Sequence, residues 1–411
     1  MDPDSGYPVH RVADVVLSDG SVARLRPIRT GDAPAVVAMH SRFSPRTRYL
    51  RYFSPYPRIP ERDLKRFVGV DHTDREALVA EVGGNVIAVG RYDRISPDEA
   101  EVAFVVEDAH QGRGVGSVLL EHLAAAAAEE GISRFIAEVL PENAKMQRVF
   151  ADAGYQVERH YRDGVMHFSM DLTDTGRAIE VAAEREQHAE ALAIVRLLHP
   201  KSVAVVGASA RPGSVGEALL RNLRTGGFTG PVYPVNPAAG TIQGLTAYQT
   251  VSAIDKPVDL AVIATPARTV RDVVADCAAA GVSGLVVVSA GFAETRAQAQ
   301  QAGAALQREV VRLARTHGMR VVGPNCFGSA NTDPAVRLNA SLAPRLPDRG
   351  RVGLFTQSGA FGIALLATAA SRGLGLSGFV SAGNRSDVSG NDLLQYWRTD
   401  PATDVVLLYL E

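Results

Sequence analysis

Residues 101–123 read EVAFVVEDAHQGRGVGSVLLEHL, and this stretch decides the fold of the first part of the chain. Its apolar opening is typical of a strand, and its last ten residues are typical of an apolar helix. Between them lies Gln111-Gly112-Arg113-Gly114-Val115-Gly116. Glycines let the backbone approach a ligand closely, and the free N–H groups and dipole of a helix's first turn attract anions. The sequence therefore predicts an anion-binding turn between a strand and a helix.

The segments around this turn predict a mixed α+β domain that closes near Leu172. We expect strands at 22–29, 76–82, 86–92, 101–106, 134–140, 155–161 and 165–172. We expect helices starting at Thr30-Gly31-Asp32 and at 114–130 and 143–153.

From Lys201 the pattern changes to fully apolar strands that alternate with Gly-rich turns and helices, which is typical of a parallel, doubly wound sheet. A third block begins at Arg349 and ends on the strand-like residues 404–411. A parallel strand with no covering helix after it leaves a half-built sheet, so we expect a fragment of a longer protein. The fold class is thus multidomain α/β. The predicted divisions are 1–175, a helical linker at 176–198, 199–340 and 341–411.

Composition excludes several classes of function. A chain of 411 residues suggests two or three domains, and 46% hydrophobic with 21% charged residues is typical of globular proteins. A net charge of −2 provides no basic surface for nucleic acid or an anionic membrane. Oligomeric state stays open.

The cysteines and histidines indicate where the protein works and what it lacks. Cys277 and Cys326 are too few for a disulfide framework, and the first residues lack the pattern of a signal peptide, so we expect a cytoplasmic protein. The ten histidines show no metal-ligand spacing, which predicts no metal.

Gln111, Gly114 and Gly116 match the pattern Q/R-x-x-G-x-G/A, through which residues 20 to 172 resemble the GNAT family of N-acetyltransferases. The segment SRFSPRTRYLRYF at 41–53 is similar to the signature of bacterial protein-lysine acetyltransferases of the Pat type. The resemblance implies that acetyl-CoA is the acyl donor and that a protein with a reactive lysine is the acceptor. Acyl-CoA synthetases are candidate acceptors. For the cofactor it implies contacts from Val105, Val106, Gln111, Gly112, Arg113, Gly114, Val115, Gly116 and Asn143.

Attack of an amine on a thioester needs a carboxylate that accepts a proton directly or through water. Glu101 is the candidate base, because it lies ten residues before Gln111, where the family carries its base; Glu99 and Glu107 are weaker candidates. The resemblance implies that a backbone N–H near Val105 or Val106 meets the oxyanion. Asn143 is preferred over Tyr155 as a ligand contact.

The turn at Gly207 starts like a dinucleotide motif, but Ser209 and Pro212 replace two of its glycines, and Asn236 stands where an acidic residue would hold a ribose. NAD is therefore disfavoured. Motifs such as AVVGAS, YPVNP and GPNCFG resemble the CoA-binding domain of NDP-forming acyl-CoA synthetases. The resemblance implies a second CoA site within 199–340 that involves Gly207, Ser209, Gly213, Asn236, Pro237, Thr265, Pro266, Asn325 and Cys326.

The third block resembles the flavodoxin-like domain that follows in those synthetases, where a turn matched by Ser358 and Gly359 receives a phosphohistidine. No histidine follows His317, so we expect that this chain alone does not run the phosphohistidine relay. Glu411 matches the residue that braces that histidine. Cys326 is equally well explained as a residue beside the thioester or as a small buried thiol.

Three hypotheses follow. The first is a protein-lysine acetyltransferase whose synthetase-like region binds acyl-CoA and regulates it. The second is an acyl-CoA synthetase fragment with an accessory GNAT domain. The third is an acyl-CoA sensor without catalysis.

Overall fold

The computed structural model of the chain describes residues 6–238, 240–295 and 298–411. The chain divides into two compact units, Met1–Glu186 and Gln187–Glu411, and the division falls within the helix Gly176–Leu198. Each unit has hydrophobic clusters of its own. Across the described residues, no helix is both long and apolar enough to cross a membrane.

The N-terminal unit is built on one eight-stranded sheet. Its strands are β1 (Ala13–Val16), β2 (Val22–Pro27), β3 (Arg75–Val82), β4 (Asn85–Ser96), β5 (Glu99–Val106), β6 (Arg134–Val139), β7 (Gln156–Arg162) and β8 (Val165–Asp171). The sheet order is β1-β2-β3-β4-β5-β6-β8-β7. Neighbouring strands are antiparallel except β5 and β6, which are parallel. The seven strands predicted from the sequence are confirmed, and β1 was not predicted.

Helices cover this sheet. They are α1 (Ala33–Ser41), α2 (Pro45–Tyr52), α3 (Glu61–Val68), α4 (Val115–Glu129), α5 (Ala144–Ala151) and the first part of α6 (Gly176–Leu198). The buried side chains of α4, among them Leu119, Leu120 and Leu123, belong to the core cluster that includes residues of β3, β4 and β5. The predicted helices at 114–130 and 143–153 and the linker helix are confirmed. The sequence analysis did not identify α2 or α3.

Pairing between β5 and β6 stops early. Only Glu99, Ala100 and Glu101 of β5 pair with β6, at Arg134, Phe135 and Ile136. Beyond Glu101 the two strands continue unpaired with each other, because β5 pairs with β4 to Val106 while β6 pairs with β8 to Val139. An opening therefore separates the last parts of β5 and β6.

The C-terminal unit begins with a five-stranded, all-parallel sheet, as predicted. Its strands are β9 (Val203–Val206), β10 (Val232–Val235), β13 (Leu260–Ile263), β14 (Gly284–Val287) and β15 (Arg320–Val322), in the order β10-β9-β13-β14-β15. The helices between them are α7 (Val215–Thr225), α8 (Ala267–Ala279) and α9 (Gln298–Thr316). A two-stranded hairpin, β11 (Thr241–Ile242) and β12 (Leu245–Thr246), lies between β10 and β13 in sequence. Every residue of β9, β13 and β14 is buried, as expected for strands covered on both faces.

A mixed sheet completes the unit. Its strands are β16 (Gly328–Asn331), β17 (Leu338–Ser341), β18 (Arg349–Thr356), β19 (Leu376–Ser381) and β20 (Val405–Tyr409), in the order β17-β16-β19-β18-β20, with helices α10 (Gly359–Ser371) and α11 (Gly390–Thr399). The strand-like residues predicted at 404–411 form β20, which is confirmed. The sequence analysis missed the antiparallel pair β16 and β17, because these short strands contain Gly, Ser and Asn instead of an apolar run. The chain thus enters the mixed sheet before residue 341.

Gly216 provides a test of the parallel sheet's packing. A Cβ atom at Gly216 would lie 1.9 Å from the carbonyl oxygen of Gly207, so α7 packs against the β9 turn only because residue 216 has no side chain. We expect Gly216→Ala to destabilise the C-terminal unit by about 1–3 kcal/mol, since overpacking forces the backbone to shift. Chemical denaturation would measure this loss. Gly240→Ala is the control, because no atom lies within 4 Å of its Cβ position; equal stability of the two variants would contradict the packing argument.

Candidate active site

Two cavities lie along the opening between β5 and β6. The first has a volume of about 410 Å³ and includes the Gly-rich turn from Gln111 to Ser117. The second has a volume of about 520 Å³ and includes Glu101. Both are lined by the same five residues where they meet: Leu50, Arg51, Phe104, Asn143 and Met146. The opening is therefore a continuous cleft with the Gly-rich turn at one end and Glu101 at the other.

The backbone of β5 presents unpaired groups to this cleft. Glu107 N–H donates to the Ile87 carbonyl at 2.8 Å, so residue 107 faces β4. Because residues alternate between the two sides of an antiparallel strand, Val105 also faces β4, whereas Phe104 and Val106 direct their N–H groups to the cleft. Of the two oxyanion donors expected from the sequence, the N–H of Val106 faces the cleft and that of Val105 does not. Sequence reasoning missed Phe104.

The Gly-rich turn has the conformation expected of an anion-binding turn. Gly112 and Gly114 both have φ of +78°, which a residue with a side chain rarely adopts. Gly114 is the N-cap of α4, no side chain caps the helix, and its first turn contains no acidic residue. The first N–H groups of α4, at Val115 and Gly116, are therefore available to an anion, and both residues line the first cavity.

Gln111 holds the turn in place. Its Nε2 donates to the carbonyl of Val106 at 3.1 Å and to Thr47 Oγ1 at 3.2 Å. Its Oε1 accepts from Lys145 Nζ at 3.0 Å. The side chain thus connects β5, α2 and α5 around the first cavity. Thr47 and Lys145 line the same cavity and were not identified from the sequence, although Thr47 lies within the 41–53 segment.

The Arg113 side chain lies elsewhere. Its guanidinium forms an ion pair with Asp19 at 2.8 Å and donates to His110 Nδ1 and Ser21 Oγ, and Arg113 is not among the residues that line the first cavity. Burial and the nearby Arg113 charge lower the pKa of His110, so its imidazole is neutral and accepts the hydrogen bond. The Arg113 side chain therefore holds the Gly-rich turn in place.

Glu101 is the last β5 residue that pairs with β6, and its side chain is exposed in the second cavity. Ala103 shares that cavity and Val105 lines the first. The alternative Glu107 is buried in a two-point ion pair with Arg42, at 2.9 Å for both contacts, and Glu99 is not among the residues that line either cavity. Glu101 alone of the three carboxylates thus faces the cleft.

Of the two candidate ligand contacts, Asn143 lines the cleft and Tyr155 does not. Asn143 is the N-cap of α5, where its Oδ1 accepts from Met146 N–H at 3.2 Å, and it lines both cavities. This hydrogen bond orients the Asn143 side chain and does not use its Nδ2 group. Tyr155 packs against the hydrophobic core, and burial raises the pKa of its hydroxyl. It lines neither cavity.

The second cavity carries both charges and aromatic rings. Tyr52 stacks on Tyr56 with ring centroids 4.1 Å apart, and the Tyr56 hydroxyl donates to Asp63. Arg91 and Arg66 both pair with Asp93, at 3.0 Å and 3.6 Å. The Arg66–Asp93 pair thus connects α3 to β4 beside this cavity.

In the C-terminal unit, the residues expected to contact a second CoA follow the carboxyl ends of the parallel strands. Gly207 and Ser209 follow β9, Asn236 and Pro237 follow β10, and Thr265 with Pro266 follows β13. The carboxyl ends of parallel strands lie at one edge of the sheet, where such folds bind ligands. The structure thus brings this set of residues to one edge.

Individual residues at this edge have defined partners. Gly207 has φ of +88°, and a Cβ there would lie 2.9 Å from the Ala264 carbonyl. Asn236 Nδ2 donates to the Ala208 carbonyl at 2.8 Å, which ties the β10 turn to the β9 turn. Thr265 Oγ1 is buried with no partner among the described residues, so this hydroxyl is free for a ligand. Gly213 is exposed, with φ of +76° and open space at its Cβ position.

Asn325 and Cys326 follow β15 at the same edge. Asn325 has φ of +55° and donates its N–H to the Ser289 carbonyl at 2.9 Å. Cys326 is buried, its Sγ lies 3.3 Å from the Val287 carbonyl, and burial raises the pKa of the thiol to about 12. A thiol with this pKa is protonated and unreactive at neutral pH, which favours the interpretation as a small buried side chain.

The third block places its predicted residues at a helix start. Ser358 is the N-cap of α10, its Oγ accepts from Phe361 N–H at 3.5 Å, and Gly359 is the first residue of the helix. Glu411 donates its backbone N–H to Gln357 Oε1 at 2.7 Å, close in sequence to that turn. Within the described residues, no group of three or more His, Cys, Asp or Glu side chains is arranged to hold a metal ion.

Three known families match separate parts of the chain. Residues 39–155 match the family described as Acetyltransferase (GNAT) family. Residues 201–332 match the CoA binding domain, and residues 349–411 match the Succinyl-CoA ligase like flavodoxin domain. The multidomain α/β fold class expected from the sequence is confirmed.

Individual relatives resemble different parts of the chain. Acetate–CoA ligase [ADP-forming] I of Archaeoglobus fulgidus is 43% identical over 216 residues, which are 53% of this chain and 30% of the relative. Acetyltransferase Pat of Mycolicibacterium smegmatis is 38% identical over 135 residues, 32% of this chain and 40% of the relative. The solved GNAT domain of S. lividans PAT is 52% identical and covers 40% of this chain and 99% of that one, with a TM-score of 0.39. The chain therefore spans less than half the length of either full-length relative.

The two cysteines give a test of the buried-thiol interpretation. Burial raises the pKa of both Cys277 and Cys326 to about 12, so thiolate is scarce at pH 8. We expect iodoacetamide at pH 8 to leave both thiols unlabelled in the folded protein and to label both in denaturant, as read by mass spectrometry. Rapid labelling of Cys326 in the folded protein would contradict burial and restore the reactive interpretation.

Proposed function

We propose that this chain, which joins a GNAT-family acetyltransferase domain to a CoA-binding domain and a succinyl-CoA-ligase-like flavodoxin domain, transfers acetyl from acetyl-CoA to lysine side chains of proteins. The observation that carries the proposal is the cleft between β5 and β6. It connects the Gly-rich turn to the Glu101 carboxylate, which has no hydrogen-bond or ion-pair partner among the described residues.

Acetyl-CoA lies in the first cavity in this proposal. Its pyrophosphate meets the N–H groups of Val115 and Gly116, while Lys145 and Arg148 line the same cavity as exposed cations. The pantetheine arm follows β5, where the N–H groups of Phe104 and Val106 face the cleft and can donate to its amide carbonyls. The Asn143 side chain contacts the arm where the two cavities meet.

The acceptor lysine enters through the second cavity. Glu101 takes a proton from the ammonium, directly or through one water, and the free amine attacks the thioester carbon. The carbon–sulfur bond breaks as the amide forms, and the CoA thiolate takes up a proton. Phe104 lies three residues from Glu101, about 10 Å along a strand, so its N–H is the cleft-facing donor nearer the reacting carbonyl. In this arrangement, Phe104 N–H donates to the thioester carbonyl oxygen, and Val106 N–H donates to the pantetheine arm.

Two observations support a protein acceptor. Glu101 and Glu138 both line the second cavity and attract a lysine ammonium, and α2, which carries the segment similar to the Pat signature, forms part of the cavity's wall. Acyl-CoA synthetases remain the proposed class of acceptor protein. A cytoplasmic location remains a prediction from the two unpaired cysteines.

Glu101→Gln tests the base. Glutamine keeps the shape of the side chain but accepts no proton, so we expect kcat to fall by about 10²-fold or more while the KM for acetyl-CoA changes little. Release of free CoA would be measured with acetyl-CoA and a lysine-bearing acyl-CoA synthetase, without ATP. Glu99→Gln on the same strand is the matched control. Undiminished turnover in Glu101→Gln would exclude Glu101 as the base, and CoA binding without turnover by the parent chain would favour the sensor hypothesis.

We also propose that the C-terminal unit binds a second CoA at the carboxyl edge of its parallel sheet. The match of residues 201–332 to the CoA binding domain supports this site, as does the free Thr265 hydroxyl. Gly213 lies directly before Ser214, the N-cap of α7, where a phosphate would meet the helix.

Gly213→Asp tests the second site. Aspartate tolerates a positive φ and adds a negative charge where the phosphate would lie, so we expect calorimetry to show two CoA per parent chain and one per Gly213→Asp chain. Gly213→Asn is the matched control, because it has the same shape without the charge and should keep two sites. One CoA per parent chain would contradict the second site while leaving the acetyltransferase proposal untouched.

A further inference from the structure

Arg51 occupies a central position in the N-terminal unit. It lies in the last turn of α2 and lines both cavities of the cleft, as well as a small inner cavity of about 30 Å³. Thr47, four residues earlier on the same helix face, contacts the Gly-rich turn through Gln111. α2 therefore runs from the Gly-rich turn, which Thr47 contacts, to the place where the two cavities meet, which Arg51 lines.

The Arg51 guanidinium is unpaired in the part of the chain that the structure describes. The cavity's other carboxylates are largely engaged, because Asp93 binds Arg91 and Arg66, and Asp63 accepts from Tyr56. No described side chain or carbonyl forms a hydrogen bond or ion pair with Arg51. Its guanidinium carbon lies 5.3 Å from the centroid of the Tyr52 ring. The cost of partly desolvating this cation lowers the pKa of Arg51, and the nearby Glu101 and Asp93 carboxylates offset that cost only in part. An anionic ligand would offset that cost.

The reactants limit which anion this is. The CoA phosphates lie at the Gly-rich turn, and the acceptor amine lies at Glu101. Arg51 sits between them, and it lines the first cavity as well as the second, so it is within reach of a group attached to CoA. A carboxylate at the end of the acyl chain would lie beside Arg51. The acyl chain is the part of acyl-CoA that passes the place where the two cavities meet. An acidic side chain of the acceptor would reach Arg51 only from the second cavity.

We propose that Arg51 selects acyl-CoA substrates whose acyl chain ends in a carboxylate, such as succinyl-CoA, by pairing its guanidinium with that carboxylate. This inference rests on the proposed acyltransferase function and extends its acyl donors beyond acetyl-CoA. The chemistry is the same transfer: the lysine nitrogen bonds to the succinyl carbonyl carbon, the carbon–sulfur bond breaks, and CoA leaves as the thiol with the proton that the amine loses. The distal carboxylate remains ionised throughout.

The test is a competition between succinyl-CoA and butyryl-CoA, which has a four-carbon chain without the carboxylate. Equal concentrations of both are supplied with one lysine-bearing acceptor, and mass spectrometry counts the two products. We expect succinyl transfer to exceed butyryl transfer in the parent chain. In Arg51→Met, which removes the charge and keeps a long side chain, we expect the ratio to fall at least tenfold. Arg51→Lys, which keeps a positive charge, should retain part of the preference.

Two results would overturn the inference: a parent chain that transfers butyryl as readily as succinyl, or a preference for succinyl that survives in Arg51→Met. A ratio that follows Arg51 only with acceptors carrying an acidic residue beside the lysine would assign the guanidinium to the acceptor instead. Absence of transfer from every acyl-CoA, including acetyl-CoA, would count against the acyltransferase itself. Calorimetry then still decides the inference, because Gly213→Asp chains should bind succinyl-CoA at least tenfold more tightly than butyryl-CoA, and equal affinities would exclude it.

Discussion

The early end of pairing between β5 and β6 is the constraint on which the N-terminal unit depends. Three paired residues hold the strands together as far as Glu101, and each strand then stays with its antiparallel neighbour. The unpaired backbone of β5 would be costly if it were buried without partners, so the cleft remains open to a ligand that supplies them. In the proposed function, the cofactor, the base and the acceptor all lie along this one separation.

The wall of the cleft is held by a few polar contacts. Gln111 joins the Gly-rich turn to α2 and α5, and Arg113 ties the same turn to Asp19. Glu107, buried beside Arg42, fixes the end of β5. Because these side chains are already engaged within the protein, the turn is organised before a ligand arrives, which lowers the entropy lost on binding. Arg51 is different: it lines both cavities and has no carboxylate bound to it among the described residues, which is why we propose that it selects the acyl chain.

The C-terminal unit is organised by a different kind of contact. Asp387 is buried and accepts from Arg320, Arg315 and the N–H of Val321, and Arg320 also pairs with Asp392 at the start of α11. These contacts connect the last parallel strand, β15, to the segment before α11 of the mixed sheet. Removing one partner would leave a buried charge uncompensated, so the network fixes how the two sheets of this unit meet. The carboxyl edge of the parallel sheet stays clear for the loops that carry Gly207 and Thr265.

The sequence by itself determined most of the strands, the longer helices and the Gly-rich turn, because alternating apolar residues and closely spaced glycines act locally. It also singled out Glu101 from its spacing to Gln111. Only the tertiary structure showed that β5 leaves β6 after Glu101, that Val106 rather than Val105 directs its N–H to the cleft, and that Arg113 binds Asp19. These facts depend on which strand pairs with which and on contacts between residues far apart in the chain, as Arg113 and Asp19 are. Only the structure could likewise show that Arg51 has no hydrogen-bond or ion-pair partner among the described residues. Such a finding requires knowledge of every neighbour in space.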